Sequence, residues 1–534
     1  MEKKVLAMYD VRGIQNYIFR TAKVRDAIGA SAIVETIIQD ALQEAVDREN
    51  ERNLIKCELE WCSTEGPLAY TEEDYDVQVL YIGGGNAYVT YSSRELCIRI
   101  NRRMAKYTID HTYSLQLAAA IVDKTEDYNQ DYQNLFEEMA RVKSNMSVSK
   151  PLGALPVMDI DVKTGYPVTA VINGVKESTE SLQKKQREKQ VREDVKTQER
   201  ILDSYITEKG VDSTIAVVHI DGNNMGLRIR RLISGIRTYG EAVAMMRKIS
   251  FHINASYKQV FEEMADHFNK NAGKQEVFSR KETQNFVLKI LVAGDDITYV
   301  CNGKIALETV RRYCEQIAGH TMTGITDEAS IRDYGFSVCA GIAFIGSHFP
   351  FYAAYETAEA CCESAKDRAK SEGCREGERI GNWVDFQICK NIQARDLKKM
   401  RKREYQTSSG EELLLRPYFV GTGADNGAET FTRIGKSIYT LASLKRAIQY
   451  FQDGKKIPMS FAKTLRNVYP LGEIRVKQFY AFLESRDWKL PEGDTDLYTS
   501  EHADGSRLER KRARWYDALE MMDLFIELEG KGNE

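Results

Sequence analysis

Three carboxylates stand out as the groups able to do chemistry. Asp221 closes an apolar run at residues 214–221, and Asp295 and Asp296 end the turn Ala293-Gly294-Asp295-Asp296. Carboxylates gathered together repel one another unless a cation lies between them. Mg²⁺ (or Mn²⁺) takes a few such oxygens together with phosphate oxygens and water. Asp221, Asp295 and Asp296, as catalytic residues and metal ligands, would suit ions that activate a ribose hydroxyl and hold a triphosphate for in-line attack. Gly294 lets the backbone turn tightly and leaves room for a nucleotide. Lys366, in the helical run AEACCESAKDRAK, could reach a triphosphate as a point charge, though a helix lysine taken by itself is usually a solvated surface group. The plain alternative is a hairpin turn carrying two solvated aspartates, because Asp is a common turn residue. The apolar flanks at 288–292 and 297–300 and the matching position of Asp221 weigh against it.

The elements that must position these groups occur twice. Residues 3–11 form a strand-like run with Asp10 near its end, followed by helical periodicity over 14–46. An apolar run at 77–82 reaches Gly83-Gly84-Gly85, and a strand pattern resumes at 88–91. A helix is expected over 95–107, a strand over 115–122 and a helix over 128–145. The same order returns as strand 214–221, helix 239–268, strands 286–292 and 297–301, helix 305–317, strand 335–345 and helix 351–370. Asp10 lies 75 positions before Gly85, and Asp221 lies 74 before Asp295. The match argues for a duplicated β-α-β-β-α-β, ferredoxin-like module. In that sheet the first and third strands are neighbours, so Asp221 and the acidic turn should meet at one end.

The first module has Gly83-Gly84-Gly85-Asn86 where the second has its acidic pair. Those glycines would admit close approach of a nucleotide or of the other module, and Asp10 either caps a helix before Gly13-Ile14 or binds a ribose. Residues 177–200 are dense in Lys, Arg, Gln and Glu, which reads as an exposed helix or mobile connector. After Trp383 the pattern is almost wholly helical. The expected fold class is α+β, with domains at 1–160 and 213–386, a charged connector at 161–212 and a helical domain at 387–534.

Composition excludes some roles. With 43% hydrophobic and 29% charged residues and a net charge of -4, the 534-residue chain has no global basic field, so any nucleic-acid contact must be a local patch. The run KKMRKR at 398–403 is such a candidate, or else a solvated helix face. No apolar segment approaches the roughly 18–20 residues of a membrane span, and the start MEKKVLAMYDVRG lacks a signal-peptide core. Ten cysteines at scattered spacings read as reduced thiols in a cytoplasmic protein. The seven histidines form no metal-binding spacing, and His219 reads as structural.

Several segments together resemble a known family. Asp10-Val11-Arg12-Gly13-Ile14-Gln15 followed by Tyr17-Ile18-Phe19, RDAIGAS at 25–31 and YIGGGN at 81–86 are similar to its first palm domain. Asp221-Gly222-Asn223-Asn224-Met225-Gly226 is similar to its Asp-x-Asp-Asn-Leu-Gly, and Ala293-Gly294-Asp295-Asp296 to its Gly-Gly-Asp-Asp. Ala358-Glu359 with Ala365-Lys366 resembles the helix with which diguanylate cyclases hold a triphosphate. Residues 383–386, Arg416-Pro417-Tyr418 and the segment around Ser460 resemble the end of the second palm and the C-terminal domain. The family is the large subunit of type III CRISPR effector complexes, palm-domain cyclases related by fold to diguanylate and class III nucleotide cyclases.

The resemblance implies two facing palms with two ATP molecules between them and a cyclic oligoadenylate-type product serving antiviral defence. Gly294, Asn224, Lys366, Gly83, Gly84, Gly85 and Asp10 would then bind nucleotide, and guide RNA, target RNA and other effector subunits would be partners. Two residues depart from the pattern: Ala293 replaces the first turn glycine, and Asn223 replaces a second acidic residue, which leaves one metal contact open. No His-Asp nuclease domain or paired-cysteine zinc element is visible. Two alternatives remain, a catalytically quiet nucleotide- or RNA-binding subunit and a GTP-using dinucleotide cyclase.

Overall fold

The structure is a computed structural model that describes residues 3–20, 23–83, 85–146, 155–191, 201–208, 210–236, 238–274, 278, 285–321, 335–371, 381–390, 396–421, 437–491, 496–502 and 509–528. The chain opens with β1 (Val5–Arg12), α1 (Ile14–Phe19), α2 (Val24–Asn50), β2 (Cys57–Glu58), β3 (Val77–Gly83), β4 (Asn86–Tyr91), α3 (Arg94–Thr112), β5 (Gln116–Asp123) and α4 (Tyr128–Asn145). Their sheet has the order β2-β3-β4-β1-β5. A hairpin, β6 (Ala170–Ile172) and β7 (Val175–Glu177), and α5 (Thr179–Val191) lead to the second unit.

That unit comprises β8 (Thr214–Gly222), α6 (Met225–Ile233), α7 (Tyr239–Asn271), β9 (Val287–Ala293), β10 (Asp296–Asn302), α8 (Ala306–Ile317), β11 (Val338–Gly346), α9 (Phe351–Ser371) and β12 (Asn382–Ile388). After α10 (Leu397–Glu404), β13 (Tyr418–Gly421) completes the sheet β13-β12-β11-β8-β10-β9. In both sheets the first strand lies antiparallel between two later ones, β1 between β4 and β5 and β8 between β10 and β11.

Local chemistry explains the elements that matter. β8 is apolar on both faces, and alternate side chains enter different cores. Ile215 and Val217 join α2 and α9, whereas Ala216, Val218 and Ile220 join α7 and α8. Helix α7 starts from a capping box: the Thr238 side chain accepts from the Glu241 amide, and Glu241 stands three residues on. Its Val243, Met246, Ile249, Ile253, Tyr257, Val260, Met264 and Phe268 recur every three or four residues on one buried face. Gly341 of β11 lets α9 pack against the sheet, since a Cβ there would come within 1.9 Å of the Ala358 carbonyl.

One side chain pins the two units together. Arg247 of α7 is fully buried, and its guanidinium donates to the carbonyls of Leu68, Ala69, Val79 and Leu80 and to Glu58. The Val79 and Leu80 carbonyls become available because β3 carries a bulge there.

Three expectations change. The helix expected over 14–46 is broken after Phe19 and restarts at Val24. The charged segment is no solvated connector where it is described: Glu180, Ser181, Lys184 and Glu188 of α5 are buried. Lys184 Nζ donates to the Tyr17 carbonyl and pairs with Glu180 at 2.6 Å, and Glu188 accepts from Arg25. Buried ion pairs replace the apolar stripe that would have revealed the packing, and residues 192–200 lie outside the described residues. The stretch after Trp383 is also not wholly helical. It supplies β12, β13 and a hairpin of Tyr498–His502 with Glu509–Ala513, alongside helices Leu441–Asp453, Met459–Val468 and Glu473–Glu484.

Candidate active site

Antiparallel pairing of β8 with β10 sets Ile220 opposite Ile297, so Asp221 and Asp296 follow at the same sheet end. Asp295 stands beside them on the β9–β10 turn, where Gly294 holds φ at +63°. The turn therefore meets the strand-end aspartate as the sequence predicts. Lys366, one turn from the end of α9, reaches in and pairs with Asp221 Oδ2 at 2.9 Å and with Glu363 at 3.3 Å. Burial opposes its charge, but the Asp221 carboxylate outweighs that and holds the ammonium protonated.

The two turn carboxyls lack such a partner. Burial first, then the neighbouring Asp221, pushes Asp295 up to about 6. Burial, Asp221, Asp295 and Glu359 push Asp296 up to about 7. The Asp296 side chain is one-third exposed (33%), yet its Oδ1 is enclosed with no hydrogen-bond donor. His219 Nδ1 lies 3.5 Å from that oxygen and 3.2 Å from Thr298 Oγ1. Burial lowers His219 to about 4, so it is neutral and supplies no compensating charge. The site is thus short of positive charge in the direction of the turn.

A cation is the natural complement of that charge, and among the described residues no three His, Cys, Asp or Glu side chains already converge in metal-holding geometry. The Lys366 ammonium neutralises one of the carboxylates, Asp221. The donor set, three hard carboxylates of which Asp296 has an orphaned buried oxygen, fits Mg²⁺ or Mn²⁺.

Several neighbours were not visible in the sequence. The buried Tyr257 hydroxyl has no hydrogen-bond partner, and it meets Asp295 at Gly222. A Cβ at Gly222 would come within 2.7 Å of Asp295 Cβ and 2.9 Å of Tyr257 Oη, so only glycine leaves that side chain its place. Tyr355 of α9 stacks on Phe19 of α1 with ring centroids 3.4 Å apart and meets His219 edge-on. Glu359 is hydrogen-bonded to Gln15 of the first unit. Phe19 and Gln15 sit in a sequence segment that carries the family resemblance, which was the available signal. Tyr257 gave none beyond helical periodicity.

The remaining sequence candidates are placed as follows. Asn224 is exposed in the left-handed region at φ +58° and begins α6 without capping it. Asn223 faces away from the carboxylates, donating to the Gly381 carbonyl at 3.1 Å. Gly83 is closed off by the other unit, for a Cβ there would lie 1.9 Å from Ser250 Oγ of α7. Gly85 has open space at φ +77°, and Gly84 lies outside the described residues. Asp10 is not a helix cap. Gly13 begins α1 without a side-chain cap, and Asp10 is bound by Lys143 of α4. Cys57 and Cys62 are free thiols, and no disulfide occurs among the described residues. No helix among them is long and apolar enough to cross a membrane.

Comparison with known proteins gives no match to a family model and none to a curated protein. Among solved structures, the chain is similar to the apo Csm1-Csm4 cassette at 13% identity and a TM-score of 0.49, over 98% of this chain and 70% of that one. It is similar to the Csm1-Csm4 cassette in complex with cA4 at 13% identity and a TM-score of 0.40. The Csm1-Csm4 subcomplex of the type III-A CRISPR-Csm interference complex matches at 13% identity and a TM-score of 0.41. In these last two the match covers 68% of this chain and 53%, about half, of the solved chain. One of these neighbours is thus named as part of a type III-A CRISPR complex.

Proposed function

We propose that the chain is a metal-dependent nucleotidyltransferase that converts ATP into a cyclic oligoadenylate-type product. The observation that carries this reading is the meeting of Asp221, Asp295 and Asp296 at one sheet end, with a buried Asp296 oxygen left unpartnered. In the reaction a ribose hydroxyl attacks the α-phosphorus of a second nucleotide, pyrophosphate leaves, and repetition closes a ring. Mg²⁺ or Mn²⁺ held by the three aspartates would supply an activated hydroxyl and neutralised phosphate oxygens. Lys366 keeps its proton and presents its ammonium to the phosphates from the Asp221 side. Gly294 keeps the turn low, and Gly222 leaves Asp295 its place beside the Tyr257 hydroxyl. On this reading residues 1–160 and 213–386 are the two palm-type domains, 161–212 connects them, and 387–534 is the C-terminal domain. Asp10, Gly85 and Asn224 border the nucleotide, and guide RNA, target RNA and effector subunits are partners.

The test is incubation of the purified chain with each of the four nucleoside triphosphates and Mg²⁺ or Mn²⁺, with products identified by mass spectrometry. A cyclic product from ATP that disappears in Asp295→Ala/Asp296→Ala is the expected result. A second reading, a catalytically quiet nucleotide- or RNA-binding subunit, draws on the ammonium that already neutralises Asp221. No product from any nucleotide, even with candidate partner subunits and target RNA added, would leave only that reading.

A further inference from the structure

The basic run singled out at 398–403 does not stand alone in the fold. Lys398, Arg401 and Lys402 of α10 form one wall of a cavity of about 950 Å³. A second basic run more than a hundred residues later, Arg510, Lys511 and Arg512 on the strand Glu509–Ala513, forms the facing wall. Arg416 is buried at the base, and Ser409 and Gly410 lie at the rim. Seven cationic side chains thus line the space against two carboxylates, Glu411 and Glu412, in a chain whose net charge is -4.

Exposure grades the cations from mouth to base: the side chains of Lys398 and Arg510 are 85% and 59% exposed, those of Arg401 and Arg512 16% and 15%, and that of Arg416 0%. Partly enclosed charges are screened less than exposed ones, toward the inner cations' own carboxylates as much as toward a bound anion. Acidic neighbours offset part of the positive charge. Glu412 pairs with Arg512 at 3.0 Å, Arg401 with Asp385 at 2.7 Å, and Lys511 with Glu473 at 2.9 Å. At the base Arg416 is enclosed by two carboxylates of its own, donating to Glu520 through Nη2 at 2.9 Å with Asp517 3.7 Å from Nε, so the more exposed cations of the two walls are the ones left to meet an anion.

We propose that this cleft binds the phosphodiester backbone of single-stranded nucleic acid. Four of its seven cations are arginines, whose planar forks match phosphate oxygens. A space of about 950 Å³ suits a few nucleotides of one strand better than a duplex. Among the described residues no exposed aromatic lines it for base stacking, since Tyr405 is 6% exposed, so contact is with the backbone and independent of sequence. The site is separate from the carboxylate cluster and does not depend on the cyclase reading.

The test measures fluorescence anisotropy of a labelled single-stranded RNA of mixed sequence, with ATP and divalent ions left out. Lys402→Glu/Arg510→Glu, one cation from each wall, should bind at least about tenfold more weakly, with a salt slope shallower by about 0.7 for each cation removed. Lys106→Glu/Lys270→Glu changes the same charge on exposed helix faces elsewhere. It should leave affinity within about twofold, and all three proteins should melt alike. The proposal is overturned if the intact chain does not bind the RNA, if the two double variants lose affinity equally, or if polyglutamate competes better than RNA, which would assign the cleft to an acidic protein segment.

Discussion

The two units carry the same ion pair and different turns. Asp10 at the end of β1 pairs with Lys143 of α4, and Asp221 at the end of β8 pairs with Lys366 of α9. Both lysines are the sixteenth residue of their helix, α4 beginning at Tyr128 and α9 at Phe351. What differs is the turn beside the pair, Gly83 to Gly85 in one unit and Gly294-Asp295-Asp296 in the other. In the first, a carboxylate and an ammonium satisfy each other. In the second, two further carboxylates exceed what one lysine can neutralise, and the excess negative charge is what a metal–triphosphate complex would meet. The repeat shows an aspartate at a strand end paired with a helix lysine in both units, and on the proposed function it is the turn that adds the chemistry.

The comparison breaks most sharply at the turn. Asp295→Ala/Asp296→Ala should lower cyclic product formation on the order of 10³-fold, whereas Asp10→Ala should change it by less than about tenfold, by product mass spectrometry. Equal losses would mean that both units hold the reacting phosphate. Next come the lysines. Lys366→Ala should lower kcat/KM for ATP about a hundredfold, while Lys143→Ala should leave it within about threefold and cost roughly 1 kcal/mol in urea unfolding, as a partly exposed pair does.

A pH series sharpens the contrast. With no cation bound, Asp295 near 6 and Asp296 near 7 hold protons that the unfolded chain has already released above about pH 4. Stability therefore falls as pH rises through about 4 to 7 and stays low above it. The rise in Tm given by millimolar Mg²⁺ should be larger at about pH 8 than at about pH 5, and Asp295→Ala/Asp296→Ala should abolish the difference. The smallest effects concern the glycines. Gly83→Ala should lower stability by about 1–3 kcal/mol through its collision with Ser250, and Ser250→Ala should recover part of that. Gly294→Ala should cost about 1 kcal/mol for its backbone angle alone.

Much of this was legible in the sequence, for identifiable reasons. Strand runs such as 214–221 and helix patterns such as 128–145 follow from apolar periodicity, and the register of β8 on β10 delivers Asp221 to the acidic turn. Glycine at 83 was recognised as allowing another body to approach, and the structure shows that body to be α7. What was hidden depended on pairing across distance. The Lys143 partner of Asp10 lies 133 residues away, and a lone helix lysine carries no mark of it. Helix α5 looked solvated because its buried face is made of ion pairs. The strands after Trp383 were obscured because β13 is only four residues long. Facing basic runs at 398–403 and 510–512 cannot be joined until the chain is folded.

Arg247 has a consequence for how the molecule comes apart. Its guanidinium belongs to the second repeat, and the four carbonyl oxygens it satisfies belong to the first. A nick in the chain between the repeats would leave both halves clasped, because separation strands a bare cation on one side and naked carbonyls on the other. Each half made alone should be an insoluble fragment rather than a small working protein, and the intact chain should lose both sheets in one cooperative melt. The bulge in β3 cannot slide either, since moving it by one residue would pull the carbonyls out of Arg247's grip. The glycine turn three residues beyond is thereby clocked to the helix that carries Tyr257.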